Sequence, residues 1–321
     1  MENAITTTEW SGADLVRVEL VERARDYAAA SKADNTRRAY RSDWAGFSSW
    51  CQAQGLECLP AAPETVALYL TSRAEAGRKA STLTRCLAAI SEAHLAVGLV
   101  SPRGSSTVKA VLRGIRRTTG TDPHQKAALL PGELKAMLEA LPGTLAGLRD
   151  RALLLVGFVG AFRRSELVGL NVEDVSRVAD GLEITLRRSK TDQEGEGRKV
   201  GLPFGSTPAA CPVRSLAAWM GASLITTGPI FRSMNRHGHM GARLSGRSVA
   251  LIVKRSAQAV GIEAEHLAGH SLRAGLATAA AKAGKSSRAI MKQTGHRSER
   301  MVAKYIRDAS LFTENAAAGL L

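Results

Sequence analysis

Gly295-His296-Arg297-Ser298-Glu299-Arg300-Met301-Val302-Ala303-Lys304-Tyr305-Ile306-Arg307 sets a glycine and a histidine at the mouth of a helical segment and a tyrosine near its end. Gly295 terminates the preceding helix, so His296 falls in a turn at the entry to a last helix over 299–307. Tyr305 then lies on the order of 9 Å along that helix, at about 1.5 Å per residue. It shares a face with Met301 and Val302, and a packed aromatic with its hydroxyl at the rim would account for it alone. The chain has only four tyrosines. The other three, Tyr27, Tyr40 and Tyr69, fall in N-terminal helices where packing explains them.

Two upstream phrases change the weight of that segment. Gly269-His270-Ser271-Leu272-Arg273 places His270 and Arg273 three apart at the start of a helix, where free N–H groups and the helix dipole attract phosphate. Phe162-Arg163-Arg164-Ser165-Glu166-Leu167 places Arg163 and Glu166 three apart, so the carboxylate can hold the guanidinium in one orientation. Arg164 points roughly 100° round the helix and ranks second. A capping histidine, or a structural Arg–Glu pair, would explain either phrase alone. With Lys190 they form a set that can hold a phosphodiester in a cationic cage and attack it with a phenol. A tyrosine of pKa about 10 needs cationic company or a base at neutral pH. Two arginines offer bidentate clamps for the spreading charge of a pentacoordinate phosphorane. A lysine can protonate the departing sugar oxygen if surrounding positive charge draws its pKa down.

Composition narrows the setting. At 321 residues the chain can hold two domains, each with its own core. Forty-five per cent hydrophobic residues with 4% aromatics suits an Ala/Leu-rich helical protein better than a β-sandwich. Lys and Arg number 44 against 29 Asp and Glu, a net charge of +15, which implies a polyanionic partner. A merely soluble cationic protein would have the same balance. Cys51, Cys58, Cys86 and Cys211 make no CxxC pair, so reduced thiols in a cytoplasmic protein are expected. The opening Met1-Glu2-Asn3-Ala4-Ile5-Thr6 lacks a basic segment followed by an apolar one, which argues against secretion. The most apolar run, Ala152 to Phe162, is too short to span a bilayer and predicts a buried helix.

The expected organisation is a flexible segment over 1–34, a helical domain over 35–120, a linker over 121–130 and a second domain over 131–321. In the first domain Tyr40, Trp44, Phe47 and Cys51 recur at the helical step after a cap at Asn35 or Thr36, with Arg37, Arg38 and Arg41 on the other face. Pro63 opens a second helix carrying Val66, Leu70 and Arg73. Ser81 caps a third, with Leu83, Leu87 and Ile90 inside and Thr82 and Arg85 outward. A fourth, near 107–117, ends in Arg113, Arg116 and Arg117. Arginines repeated on the exposed faces of several helices read as a DNA saddle, although a solvated face would explain any single helix. The stretch 118–124 has turn formers and one proline, the best domain boundary. Beyond it come helices over 133–141 and 148–170. Leu182, Ile184 and Leu186 alternate with Glu183, Thr185 and Arg187 as a half-buried strand, 190–197 is a polar hairpin tip, and 198–202 returns as the partner strand. Helices follow over 212–220, 245–260, 271–283, 287–294 and 299–307. A short apolar helix over 310–321, capped at Thr313-Glu314, is expected to dock on a neighbouring protomer.

Motifs for other chemistries are incomplete. Ala279 to Ser286 ends like a phosphate loop but lacks its first glycine, and Gly195-Glu196-Gly197 lacks the third glycine of a dinucleotide loop. There is no HExxH and no spaced Cys/His cluster, so neither metal nor cofactor is expected. His237 and His239 form a lone HxH in a Gly-rich loop.

The three phrases, in this order and spacing, resemble the tyrosine site-specific recombinases of the phage integrase family, in particular the Cre-type recombinases. The resemblance covers nearly the whole chain. It implies a mainly α protein: a four- to five-helix core-binding domain, then an α+β catalytic domain with a small antiparallel sheet. It implies that Arg163 and Arg273 bind the scissile phosphate, that Lys190 is the general acid, and that Lys199 is its substitute if the hairpin length differs. His270 and His296 become phosphate-contacting, proton-handling residues, Glu166 a supporting acid and Tyr305 the nucleophile. Lys79, Thr82, Arg85 and Lys126 join the arginines named above as DNA contacts. The implied activity is cleavage and rejoining through a 3′-phosphotyrosine, with strand exchange through a Holliday junction. The implied partner is double-stranded DNA with inverted-repeat half-sites, bound by a dimer per site and a tetramer in synapsis, with no membrane involved and no additional N-terminal arm-binding domain. The alternatives are a DNA-binding architectural or regulatory protein with the same fold, a type IB topoisomerase-like enzyme, and a telomere resolvase.

Overall fold

The structure is a computed structural model that describes residues 19–23, 26–27, 31–120, 127–187 and 197–310. The chain divides into two compact units at Pro123/His124. The segments 1–18 and 121–126, with Lys126, the hairpin tip with Lys190, and the expected helix beyond Ser310 lie outside the described residues.

Among the described residues of the first unit are the helices α1 (Asp34–Gln54), α2 (Pro63–Glu75), α3 (Ala80–Ala96) and α4 (Ser106–Thr119), and residues 19–23 and 26–27 are helical as well. The helical-period positions point inward, as Phe47, Cys51, Val66, Leu70, Leu83, Leu87 and Ile90 share one core. Phe47 meets Tyr69 edge-on at 5.0 Å and Trp50 meets it at 5.3 Å, which ties α1 to α2. His94 is buried, accepts the Ala61 N–H at Nε2 and therefore donates from Nδ1 to Ile90 O. Two expected caps differ. α1 begins at Asp34 and α3 at Ala80, so Asn35, Thr36 and Ser81 lie inside first turns and the N-caps are Ala33 and Lys79. Extended backbone at those positions starts the helices without a side-chain bond.

The second unit holds α5 (Pro131–Glu139), α6 (Leu145–Val159), α7 (Arg164–Gly169), α8 (Pro212–Ser223), α9 (Gly246–Gln258), α10 (Gly269–Lys282), α11 (Ser287–Thr294) and α12 (Glu299–Ser310). Its strands are β1 (Val175–Val178), β2 (Gly181–Leu186) and β3 (Arg198–Pro203), an antiparallel sheet in that order, and the hairpin β4 (Arg232–Met234) and β5 (Met240–Arg243). Leu186 pairs with Arg198 and Thr185 with Lys199, so the connecting segment leaves the sheet at a defined register. Leu182, Ile184, Leu186, Val200 and Leu202 all enter the main core with α6. The unit starts upstream of the expected linker end: Leu129 is fully buried and its N–H reaches Ser271 O. α10 runs so close to that segment that a Cβ on Gly275 would sit 1.9 Å from Leu129 O.

The single helix expected over 148–170 is two. α6 ends at Val159, Ala161 takes φ 48°, and α7 starts at Arg164. Gly160 permits the break, because a Cβ there would strike the Phe162 ring at 2.2 Å. Phe162 is 1% exposed, so the ring folds back over the helix end, and the apolar run that read as continuous helix is satisfied by packing instead. No described helix is long and apolar enough to cross a membrane.

Candidate active site

The break between α6 and α7 makes Arg163 the N-cap of α7 rather than a residue of the same helix face as Glu166. The Glu166 carboxylate still holds it, accepting the Arg163 backbone N–H at 2.8 Å and its Nη1 at 2.5 Å. Glu166 is 1% exposed at its side chain, so this is a desolvated, charge-assisted contact. Arg164, next along, is exposed and packs its stem on Gly269, where a Cβ would lie 2.5 Å from its Cγ.

α10 supplies the next two groups. Arg273 is 1% exposed, and its Nη1 donates to Ala161 O at 2.8 Å and to Thr294 O. One arginine thus ties the helix break to the end of α11. Burial, with Arg163 next in weight, pushes its pKa down to about 10, so it stays charged at neutral pH. Its Nη2 is buried with no protein acceptor. A buried guanidinium N–H without a partner is costly, and an incoming anion relieves that cost. His270 stands exposed in the first turn of the same helix, its pKa held below the ordinary histidine value by desolvation and then by Arg273, Arg163 and Arg164.

α11 ends at Gly295, whose φ of 67° is the left-handed region that favours glycine. The turn brings His296 back to the helix end, 8% exposed, with Nδ1 2.7 Å from Thr294 Oγ1. Desolvation first, then Arg273, Arg163, His270 and Arg198, push its pKa down to about 4. The imidazole is therefore neutral. Tyr305, half-buried on α12, has its ring 6.0 Å from the His296 ring at a tilt of 32°. Its helix face is Val302, Tyr305 and Ile306, packed on Ala277 and Ile290. Met301, expected on that face, is 47% exposed, because it lies one helical step round from Val302.

A residue that the sequence reading passed over belongs to the set. Arg198, the first residue of β3, donates from Nη1 to Gln293 O at 3.1 Å and Lys292 O at 3.5 Å, the exposed carbonyls of the α11 end. Its Nη2 lies 3.8 Å from Glu166 Oε2, and its Nε and Nη2 make no hydrogen bond. Arg198 shares its strand face with buried Val200 and Leu202, and Lys199 points to the other face, where it pairs with Glu183 at 2.8 Å. The fallback lysine is thus outside the cluster. Strand parity in the sequence already separated the two, but nothing local marked Arg198 as half-buried, with its side chain 21% exposed.

Arg163, Glu166, Arg198, Arg273, His296 and Tyr305 are brought together: three guanidiniums around one carboxylate, beside a neutral imidazole and a phenol. Such a cluster can bind a phosphodiester and stabilise extra charge on it. Among the described residues one group could hold a metal ion, Glu263 with Glu265 and His266, and none of the cluster belongs to it. In the first unit Arg37, Arg38, Arg41, Lys79, Arg113, Arg116 and Arg117 are exposed and Thr82 is half-buried. Arg85 is held by Asp43 through Nε at 2.7 Å and Nη2 at 3.1 Å, and Arg116 donates to Thr84 Oγ1 at 3.0 Å.

Comparison with known proteins adds two domain matches. Residues 128–311 match the phage integrase family, and residues 26–94 match the phage integrase N-terminal SAM-like domain. An integrase/recombinase xerD homolog of Selenomonas ruminantium is 42% identical over 291 residues, covering 89% of this chain and 85% of its own. Recombinase cre of Escherichia phage P1 is 25% identical over 315 residues, covering 92% and 90%. The crystal structure of a lambda integrase (75–356) dimer bound to a COC′ core site superposes with a TM-score of 0.61 at 18% identity, covering 90% of this chain and 94% of that one. The last likeness is one of fold.

Proposed function

The chain belongs to the phage integrase family of tyrosine recombinases, and on that premise we propose that it cuts and rejoins double-stranded DNA through a covalent 3′-phosphotyrosine at Tyr305. The observation that carries this reading is the buried, charged Arg273, whose Nη2 lacks an acceptor next to Arg163 and the phenol. A phosphodiester oxygen is the acceptor that set is built for.

In the proposed reaction Arg163 and Arg273 each clamp a non-bridging oxygen of the scissile phosphate, and Glu166 keeps Arg163 aimed. The Tyr305 oxygen attacks phosphorus, and the bond to the 5′-oxygen breaks as that oxygen takes a proton from Lys190. His270 and His296 contact the phosphate and handle protons beside it. The phosphotyrosine ester stores the energy of the broken bond. A 5′-hydroxyl from a second duplex then reverses the step, so rejoining needs no ATP. Inverted-repeat half-sites bound by two protomers, and two such sites in a tetramer, would exchange strands in pairs through a Holliday junction. The basic faces of the first unit, with Lys126 beyond it, supply phosphate contacts. This reading also takes 310–321 as the segment that docks on a neighbouring protomer.

A nicked suicide duplex tests it, since the cut strand loses its 5′-hydroxyl and the adduct accumulates. The wild-type chain should become DNA-linked in EDTA, and Tyr305→Phe should not. Site-specific adduct formation by Tyr305→Phe would overturn the proposal.

A further inference from the structure

We propose that Arg85, aimed by Asp43, reads a guanine through the major groove of the target DNA and so helps to set which sequence the chain binds. The inference rests on the recombinase reading above only for its ligand, duplex DNA.

Asp43 stands on α1 with its side chain 9% exposed, and Arg85 on α3 is 49% exposed. Arg85 Nε donates to Asp43 Oδ2 at 2.7 Å, and its Nη2 donates to Oδ1 at 3.1 Å. Both bonds use one edge of the planar guanidinium, so a half-buried carboxylate fixes the direction of the fork. The remaining edge is Nη1 with the second hydrogen of Nη2. Two parallel donors of that kind match guanine O6 and N7, and no other base presents two acceptors side by side in the major groove.

The pairing separates base reading from phosphate binding. Arg85 and Asp43 together carry no net charge, so they add little to the sequence-independent attraction of counterion release. What they offer is a donor edge held in one direction, and such an edge discriminates between bases. Charge suited to phosphates lies around it. Arg78 and Lys79 are exposed just ahead of α3, and Ser81 and Arg85, four apart, share its exposed face. Arg116 of α4 donates from Nη2 to Thr84 Oγ1 at 3.0 Å, which sets the arginine-rich end of α4 beside the second turn of α3. Glu92 is the next charge along α3, and Lys32 takes it at 2.6 Å. Positive charge therefore flanks the first two turns of α3 and stops there. A helix end exposed between basic side chains fits a major groove about 12 Å wide.

The test selects bound sites from random duplex DNA with the full chain and with Arg85→Ala. The wild type should enrich guanine at one position of each half-site, and Arg85→Ala should lose that preference and keep the others. Adenine in place of that guanine should weaken wild-type binding about tenfold, as expected of a bidentate base contact, and leave Arg85→Ala binding unchanged. Asp43→Asn should narrow the same ratio and no other. The salt slope of Arg85→Ala should equal that of the wild type, because no phosphate contact is lost. A guanine preference that survives Arg85→Ala overturns the proposal. So does an equal loss of affinity on all sequences with a shallower salt slope, the mark of a phosphate contact. If Arg85→Ala does not fold, the double variant Asp43→Asn/Arg85→Gln leaves no charge unpaired and gives the same readings. The wild type alone also decides: 7-deazaguanine, which lacks the N7 acceptor, should weaken binding at that position, and no effect anywhere in the half-site overturns the proposal. A chain that selects such a site but never attaches to it overturns the recombinase reading and leaves this one standing. Attachment to a selected site with no Arg85-dependent position overturns this one alone.

Discussion

Replacing Glu166 by glutamine tests how the cluster holds its charges. The carboxylate is 1% exposed and lies 2.5 Å from Arg163 Nη1, 2.8 Å from the Arg163 backbone nitrogen and 3.8 Å from Arg198 Nη2. Glutamine offers one oxygen and one NH2 group, so whichever way it turns, one N–H of Arg163 meets another donor. A charge-assisted hydrogen bond contributes about 1.5–3 kcal/mol, and the capping bond to the main chain adds about 1 kcal/mol. Breaking one partner of a buried ion pair typically costs about 3–5 kcal/mol, since the other charge is left uncompensated. The expected loss is about 3 kcal/mol for the second unit, read by urea unfolding with hydrogen exchange followed in α10. If the whole loss falls on transition-state binding, attachment to suicide DNA slows about a hundredfold. A double-mutant cycle with Arg163→Gln should give coupling of about 1–3 kcal/mol. A stability change under about 0.5 kcal/mol with unaltered cleavage would refute the argument that this carboxylate aims Arg163.

Other outcomes follow from the same geometry. His296 titrates at about 4 when folded against about 6.5 unfolded, so the unfolded chain binds more protons between those values. Its stabilising effect is complete above about pH 6.5 and is lost as pH falls through about 4, with a slope of up to about 1.4 kcal/mol per pH unit; His296→Gln should flatten that slope in pH-dependent urea unfolding. Gly295→Ala, at φ 67° and with its Cβ 2.8 Å from Arg198 Nε, should cost about 1–2 kcal/mol and reduce cleavage without weakening DNA binding in a gel-shift assay. Arg198→Gln should cut the attachment rate, whereas Lys199→Gln should leave it near the wild-type value. Binding to target DNA should lose affinity with salt at a log–log slope of roughly −7 if about 8 phosphates are clamped, and a nearly flat titration would remove the basic faces from the DNA surface.

Local patterns carried most of the fold. α11 starts and stops at Ser287 and Thr294, as its serine and glycine signals require. The alternation through Leu182, Ile184 and Leu186 gives β2, and the helical period from Phe47 to Ile90 gives the first core. The helix break was hidden because residues 152–162 stay apolar throughout, and only the backbone conformation at Ala161 separates two helices there. At the site, Arg163, Glu166, Arg273, His296 and Tyr305 were legible from spacing and residue type. Arg198 was not, since its partners Lys292 and Gln293 lie 94 and 95 positions away and leave no trace near it. Thr294 reads as an unremarkable helix end until the left-handed turn places His296 on its hydroxyl.

The central claim is tested most directly by isolating the DNA-linked protein from a suicide-substrate reaction, digesting both components and sequencing the modified peptide by mass spectrometry. The account predicts a nucleotide 3′-phosphate on the Tyr305 oxygen, within the peptide that spans Met301 to Arg307. A phosphate on any other side chain, or an intact Tyr305 in chains that have cut DNA, would contradict it.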